Sequence, residues 1–360
     1  MNLQINIGKN SINRTAKLCI PHSELRRVYL HIASAEILNR SNYYLRRHPY
    51  KDEKKIPDPN KPCRLQNDSQ KIPIPRHLEI MRQQNIIPNI SALNQQKSEQ
   101  FHSVPALLAV PISDLVANLF RPAFHKDGLG THKTFFFEDE PVTDRDYWCV
   151  CCFQNDQDKN QKLEFRQVKF DVNNDTVWDC ADKTDLGKAG LLWAAGIVPL
   201  VINNNPLSAP EIAVHDYDIR QILGRDSTTV LQYIYQGWYD EWESRIKKII
   251  TDFEKKNRSW ESFYHSILCL DFDKNVYIYQ MEGTLPELAE KLAGEGMVYA
   301  GMLDSGGSCA IYDAWLKSYL NHGWYFREPR GSILVFELDH SERIPITGFY
   351  SNYHKQETNK

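Results

Sequence analysis

The chain has 360 residues, 42% hydrophobic, 25% charged and 11% aromatic, and its 43 Lys and Arg against 46 Asp and Glu leave a net charge of −3. That apolar share can bury a sizeable core, which excludes a disordered chain and a coiled coil, and the length suits one large domain or two ordinary ones. No apolar run reaches the roughly 18 residues of a membrane span, and residues 1–20 mix Asn, Lys and Arg with isolated apolar side chains instead of forming a signal-peptide core, so a cytoplasmic protein without membrane contact is the expectation.

Charge is unevenly placed. Residues 1–100 hold 17 Lys and Arg against 8 Asp and Glu, but these are scattered among Asn, Gln and Pro and form no block, which disfavours a nucleic-acid partner while leaving one open through this basic stretch. The eight cysteines are too few for a disulfide framework at this length and are expected as free thiols.

In chain order, Ser23 to Arg40 places Leu25, Val28, Tyr29, Ile32 and Ala35 at helical spacing and predicts a helix. Seven prolines between Pro49 and Pro88 then predict an extended arm over Tyr50 to Ser98, because proline lacks an amide donor and fixes φ. From Val104 to Asn204, short apolar runs such as Phe135-Phe136-Phe137 and Tyr147 to Phe153, with the polar patch Asn155 to Lys162, predict β structure and a long exposed turn. Thr229 to Phe253 carries Leu231, Ile234, Trp238, Trp242, Ile246, Ile249 and Phe253 largely at spacings of three and four, an amphipathic helix over at least its second half.

The C-terminal part is the most legible. His265 to Leu270 and Val276 to Tyr279 are β-rich runs joined by a polar turn, a hairpin. Thr284-Leu285-Pro286-Glu287 is a capping box that opens a helix running to Leu292 or Ala293, stopped by Gly294 and Gly296. Met297 to Leu303 is then a strand that ends in Asp304-Ser305-Gly306-Gly307-Ser308. Consecutive glycines after a strand take positive φ without a Cβ clash, so successive N–H groups can converge on an anion, with the Asp304 carboxylate alongside. A held phosphate next to a carboxylate points to attack on an adjacent bond or deprotonation of a water. The plain alternative is a turn that only reverses the chain.

Other constellations compete. Asp271, Asp273, Asn275 and Glu282 fall at calcium-loop spacing, but Val276 stands where that loop needs glycine, so the hairpin is preferred. Cys149, Cys151 and Cys152 lack the two-residue gap of a zinc knuckle and are expected as core thiols. Cys309, followed by a helix-like Ala310 to Leu320 and with His340 as a base, is a candidate thiol nucleophile at a helix N-terminus.

From Leu200 onward the order of motifs resembles the phosphodiester glycosidase family, enzymes like the one that uncovers mannose 6-phosphate by removing N-acetylglucosamine. Gly283-Thr284-Leu285 and Ala300-Gly301-Met302-Leu303-Asp304-Ser305-Gly306-Gly307-Ser308 are similar to its Gly-Thr-Leu helix and its Leu-Asp-Gly-Gly-Gly-Ser turn. Asn321, Arg327-Glu328-Pro329-Arg330 and Ile333 to Phe336 stand where the family has an Asn, an Arg-Pro-like segment and an apolar strand. Gly196 to Val201 and Ile219 to Gly224 are similar to its upstream strand and Arg-Thr-Ala-Ile-Gly motif. Ser305 replaces the first glycine of the triplet, and the family's early Asn-Gly-Gly-Phe-Phe motif has no good counterpart here.

The resemblance implies hydrolysis of a sugar 1-phosphodiester at the anomeric carbon, and no cofactor or metal is assigned from the sequence. Asp304, Arg220 and Arg327 would be catalytic, with Ser305, Gly306, Gly307, Ser308 and Arg330 binding substrate phosphate, and His215 and Glu282 standing nearby as second-tier candidates. The partner is then a phosphorylated sugar or a nucleotide-sugar-like molecule; a non-catalytic module binding the same ligand is the alternative, as is a Cys309-dependent hydrolase. The expected fold is α+β, a mixed, twisted β-sheet core flanked by helices, divided into a basic helical and Pro-rich arm (1–98), a phosphodiester glycosidase-like body (99–350) and a polar tail (351–360).

Overall fold

The computed structural model describes residues 2–7, 14–32, 72–87, 106–111, 123–126, 133–136, 146–154, 161–171, 174, 176–208, 211–212, 263–306, 309–314, 317–322, 329–330 and 332–338. Their strands form three larger antiparallel sheets and one small one. A seven-stranded sheet runs in the order β1 (Asn2–Ile7), β2 (Arg14–Ile20), β15 (Val276–Gly283), β14 (Phe263–Leu270), β16 (Tyr299–Ser305), β12 (Val198–Ile202), β13 (Asn205–Pro206). A six-stranded sheet has β10 (Thr176–Asp179), β9 (Gln161–Asp171), β8 (Asp146–Gln154), β11 (Leu191–Gly196), β6 (Ala123–Lys126) and β7 (Lys133–Phe136). A five-stranded sheet has β18 (Ser318–His322), β17 (Ala310–Asp313), β5 (Ala106–Pro111), β20 (Ser332–Leu338) and β3 (Leu25–Ile32), and β19 (Pro329–Arg330) pairs with β4 (Ile72–Pro73).

All three larger sheets turn an apolar face to one shared core. Leu18, Leu268 and Ile278 come from the first, Val150, Cys152 and Trp193 from the second, and Val28, Leu30, Leu334 and Phe336 from the third. Gly301 lets the first and second approach, since a Cβ there would collide with the Ile197 and Phe165 side chains. Two α-helices among the described residues each seal an outer face. α1 (Ile74–Gln83) lays Ile74, Leu78 and Met81 on Leu107, Ala109, Ile333 and Val335. α2 (Leu285–Gly294) buries Leu285, Leu288, Ala289 and Leu292, a strict helical stripe, on Ile267, Met281 and Met302. Each leucine so buried stabilises by about 1.5–3 kcal/mol. Among the described residues no helix is long and apolar enough to cross a membrane.

The α+β expectation is overturned. The described chain is mostly β, every described ladder of the larger sheets is antiparallel, and only two ten-residue α-helices accompany three sheets, so the core is built sheet against sheet and not flanked throughout by helices. The predicted helix from Ser23 is, over Leu25–Ile32, the strand β3. Val28, Leu30 and Ile32 are buried at a spacing of two, and pairing with the wholly buried β20 decides between two periods that the same residues satisfy. Within the segment expected to be extended, Ile74–Gln83 is helical because Pro75 occupies its first turn, where a missing N–H costs nothing. The hairpin, the helix after Thr284 and the strand before Asp304 stand where the sequence places them. The predicted helix over Thr229 to Phe253 lies outside the described residues.

Candidate active site

The hairpin of β14 and β15 is fixed by its turn. The Asp271 carboxylate accepts the Asn275 backbone N–H (2.9 Å), the Asn275 side-chain amide (2.9 Å) and the Tyr277 hydroxyl (3.0 Å), and Lys274 takes φ 61°. This register sets Tyr264 opposite Glu282 and Ser266 opposite Gln280. Directly opposed residues share a face, so the far end of the hairpin carries four polar side chains on the face that elsewhere presents Leu268 and Ile278 to the shared core.

β16 pairs along the other side of β14 with an irregularity. Ile267 faces Met302, but Ser266 faces Asp304, so Leu303 is the extra residue of a bulge. Met302 lies against α2, whereas Leu303 belongs to the shared core. Strict alternation would have returned Asp304 to the α2 side. The bulge instead sets it beside Ser266, on the polar face. Two residues on, Gly306 has φ 66°, a left-handed conformation that suits glycine, and its carbonyl accepts the Cys309 N–H (3.3 Å).

A sixth polar residue arrives from the five-stranded sheet. Asn321 on β18, fully buried, donates its amide hydrogens to Gln280 Oε1 and to the Tyr264 hydroxyl, both at 2.6 Å, and Gln280 Nε2 reaches Ser266 Oγ at 3.5 Å. These bonds tie two sheets together at the end of β14. They also fix which end of the Asn321 amide is left over. Asn321 Oδ1 and Glu282 Oε2 are both buried and find no donor among the described residues, and each such group costs about 1–3 kcal/mol unless a donor arrives.

The residues expected from sequence divide accordingly. Asp304, Ser305 and Gly306 sit together at the end of β16, and Glu282 is two strands away on the same sheet. Arg330 is on β19, opposite Ile72 in the small separate ladder. Arg220, Arg327, His215, Gly307, Ser308 and His340 fall outside the described residues. Tyr264, Ser266 and Gln280 carry no sequence motif; their local trace is a polar residue at an inward strand position. Among the described residues no group of three or more His, Cys, Asp or Glu is placed to hold a metal ion.

The thiol alternatives are corrected or explained by the same geometry. The expected helix after Cys309 is absent: Ala310–Asp313 and Ser318–His322 are strands, so no helix dipole acts on the sulfur. Cys309 is buried, its Sγ lying 3.5 Å from the Tyr264 carbonyl oxygen and 3.6 Å from the Asp304 carbonyl oxygen, either of which can accept its one hydrogen. Cys149, Cys151 and Cys152 are fully buried on β8, where burial pushes all three thiols well up from their ordinary value.

No protein-family model matches the chain, and no curated protein matches it in sequence. Among solved structures, the chain is similar to the catalytic domain of zebrafish N-acetylglucosamine-1-phosphodiester α-N-acetylglucosaminidase, auto-inhibited by its pro-peptide. That likeness covers 65% of this chain and 73% of that one, at 11% identity and a TM-score of 0.29. It is also similar to a hypothetical protein from Synechocystis over 93% of this chain and 61% of that one, at 10% identity and a TM-score of 0.36. Both likenesses are loose and assign nothing to individual residues.

Proposed function

We propose that the chain hydrolyses a sugar 1-phosphodiester at the end of β16, with Asp304 as the acid/base or electrostatic group. The observation that carries the reading is the bulge that sets Asp304 on the polar face beside the buried Ser266 and Gln280, two residues before a glycine in the left-handed region. The motif resemblance around Gly283 to Ser308 supports it. In this reaction water attacks the anomeric carbon, the bond from that carbon to the phosphate oxygen breaks with its electron pair leaving on phosphate, and Asp304 takes the proton from water. The products are a free sugar and a phosphate monoester.

The chemistry explains why one carboxylate is enough. A glycoside that expels an alkoxide needs a second carboxylic acid to protonate it. A phosphate monoester has a second pKa of about 6 and leaves unaided once its charge is met by N–H groups and guanidinium. Gly306 and Gly307 supply the amides in this reading, and Arg220, Arg327 and Arg330 the cations.

A panel of sugar 1-phosphodiesters and nucleotide sugars tests it. Release of reducing sugar with a phosphate monoester, abolished by Asp304→Asn while binding is retained, is the expected result. Wild-type protein that binds members of the panel and releases nothing would establish a binding module instead.

A further inference from the structure

Asn321 and Glu282 leave two acceptors uncommitted, and their surroundings define what could meet them. Asn321 has already spent both amide hydrogens, on Gln280 and Tyr264, so its oxygen is turned to the remaining side of a site in which the side chain is 0% exposed. Glu282 Oε2 lies on the neighbouring strand, with Gln280 two residues before it on the same face. From Gln280 through Ser266 to Asp304 the positions are direct ladder neighbours, so β15 and β16 are separated by two strand spacings, about 10 Å. A ligand held at the end of β15 must bridge that span to reach Asp304.

An oxygen of an amide and an oxygen of a carboxylate, both lacking donors, call for a ligand rich in O–H groups. An anion would find the wrong sign here, since both uncommitted atoms are acceptors. We infer that Asn321 Oδ1 and Glu282 Oε2 are the hydroxyl-reading acceptors of this site, each accepting a hydrogen from a different hydroxyl of a sugar ring that lies across the end of β14. Asn321 and Glu282 are then specificity residues, and Gln280 and Tyr264 are positioning residues that hold the Asn321 amide. The assignment rests on the phosphodiesterase reading for the sugar but not for the hydroxyls.

The test uses the methyl diester of α-glucose 1-phosphate and its monodeoxy forms, with affinity measured by calorimetry and turnover by phosphate-monoester release. Wild-type protein should lose about tenfold or more in affinity when one particular hydroxyl is removed, the effect of leaving a buried polar group unpaired. Asn321→Ala should bind the parent more weakly and flatten that one loss to under about threefold, and Glu282→Met should flatten the loss at a different hydroxyl. Glu282→Met also decides the matter should Asn321→Ala fail to fold, since half of the inference lies on it. Variants that keep the wild-type pattern across all monodeoxy forms overturn the inference, as does a wild-type protein that binds none of these compounds. Binding with hydroxyl discrimination but without turnover would instead sink only the reaction.

Discussion

Two buried amide side chains in this protein have opposite fates. Gln161, on β9, accepts the Val28 N–H at 2.7 Å, and Cys152 Sγ lies 3.5 Å from the same oxygen. The Val28 carbonyl in turn accepts the Trp193 indole N–H at 3.0 Å, with the Cys152 thiol at 3.8 Å. That network closes on itself and ties β3 of the five-stranded sheet to β8, β9 and β11 of the six-stranded one. Asn321 also bridges two sheets, yet its oxygen is left without a donor among the described residues. A closed network serves stability, because removing any member strands a buried partner. An open one costs stability until something else completes it, which is what a binding site requires.

If this contrast is right, disturbance at the open end should change function first. The largest expected effect is Asp304→Asn, which should lower turnover by about 10²–10⁴-fold while calorimetric affinity for the same diester persists. Loss of binding together with a collapse of the thermal transition would make Asp304 a structural residue and erase the contrast.

The buried thiols, of which Cys152 belongs to the closed network, should answer to alkali. The Cys149, Cys151, Cys152 and Cys269 thiols are all held above their ordinary value by burial, with smaller contributions from nearby acidic groups or thiols for all but Cys152. Their pKa is therefore higher folded than unfolded. The stability they confer is complete below the unfolded value near 9.0 and is lost as pH rises from there through the folded values, because only the unfolded chain ionises. Urea unfolding should show stability falling by about 1.4 kcal/mol per pH unit for each such thiol above that point. Cys152→Ala should reduce the slope by one thiol. A flat profile between pH 9 and 11 would mean that these sulfurs are wet.

Next in size is Gln161→Leu. It strands the Val28 N–H and should cost about 1–3 kcal/mol in urea unfolding, with turnover per folded molecule unchanged. A fall in turnover without loss of stability would reverse the roles of the two networks.

How much of this could be read from sequence depends on whether the signal is local. The hairpin around Asp271, the start of α2 and the strand before Asp304 depend on turn residues, a cap and period-two apolar runs, all within a few positions. The sheet architecture does not. The local pattern of β3 reads as a helix because Val28 and Ile32 fit both a spacing of two and a spacing of four, and the distant β20 settles the choice. The site divides in the same way. Asp304 and Gly306 form a contiguous motif, whereas the bulge at Leu303 is a property of two paired strands and Asn321 meets Gln280 across 41 residues. A polar residue at an inward strand position, as at Ser266 and Gln280, was the one local trace of that network.

The smallest prediction asks whether the open end depends on the helix behind it. At Thr284 the expected capping box forms, and the Glu287 carboxylate accepts both the Thr284 N–H (3.1 Å) and the Thr284 hydroxyl (2.8 Å). Thr284→Ala removes the hydroxyl and leaves the N–H bond, so a cost of about 1 kcal/mol is expected, at the ordinary scale of a lost cap. α2 packs on the outer face of the seven-stranded sheet, and Leu288 presses so closely on Gly283 that a Cβ there would come within 2.8 Å of its Cδ2. Glu282 is the next residue along β15. A loosened first turn could therefore reach the site through Gly283 alone, and a sheet held by two ladders on β14 should resist it. Unfolding by urea should register the change while affinity for the diester does not. A parallel loss of affinity would show that the site is held by its helix and not by its strands.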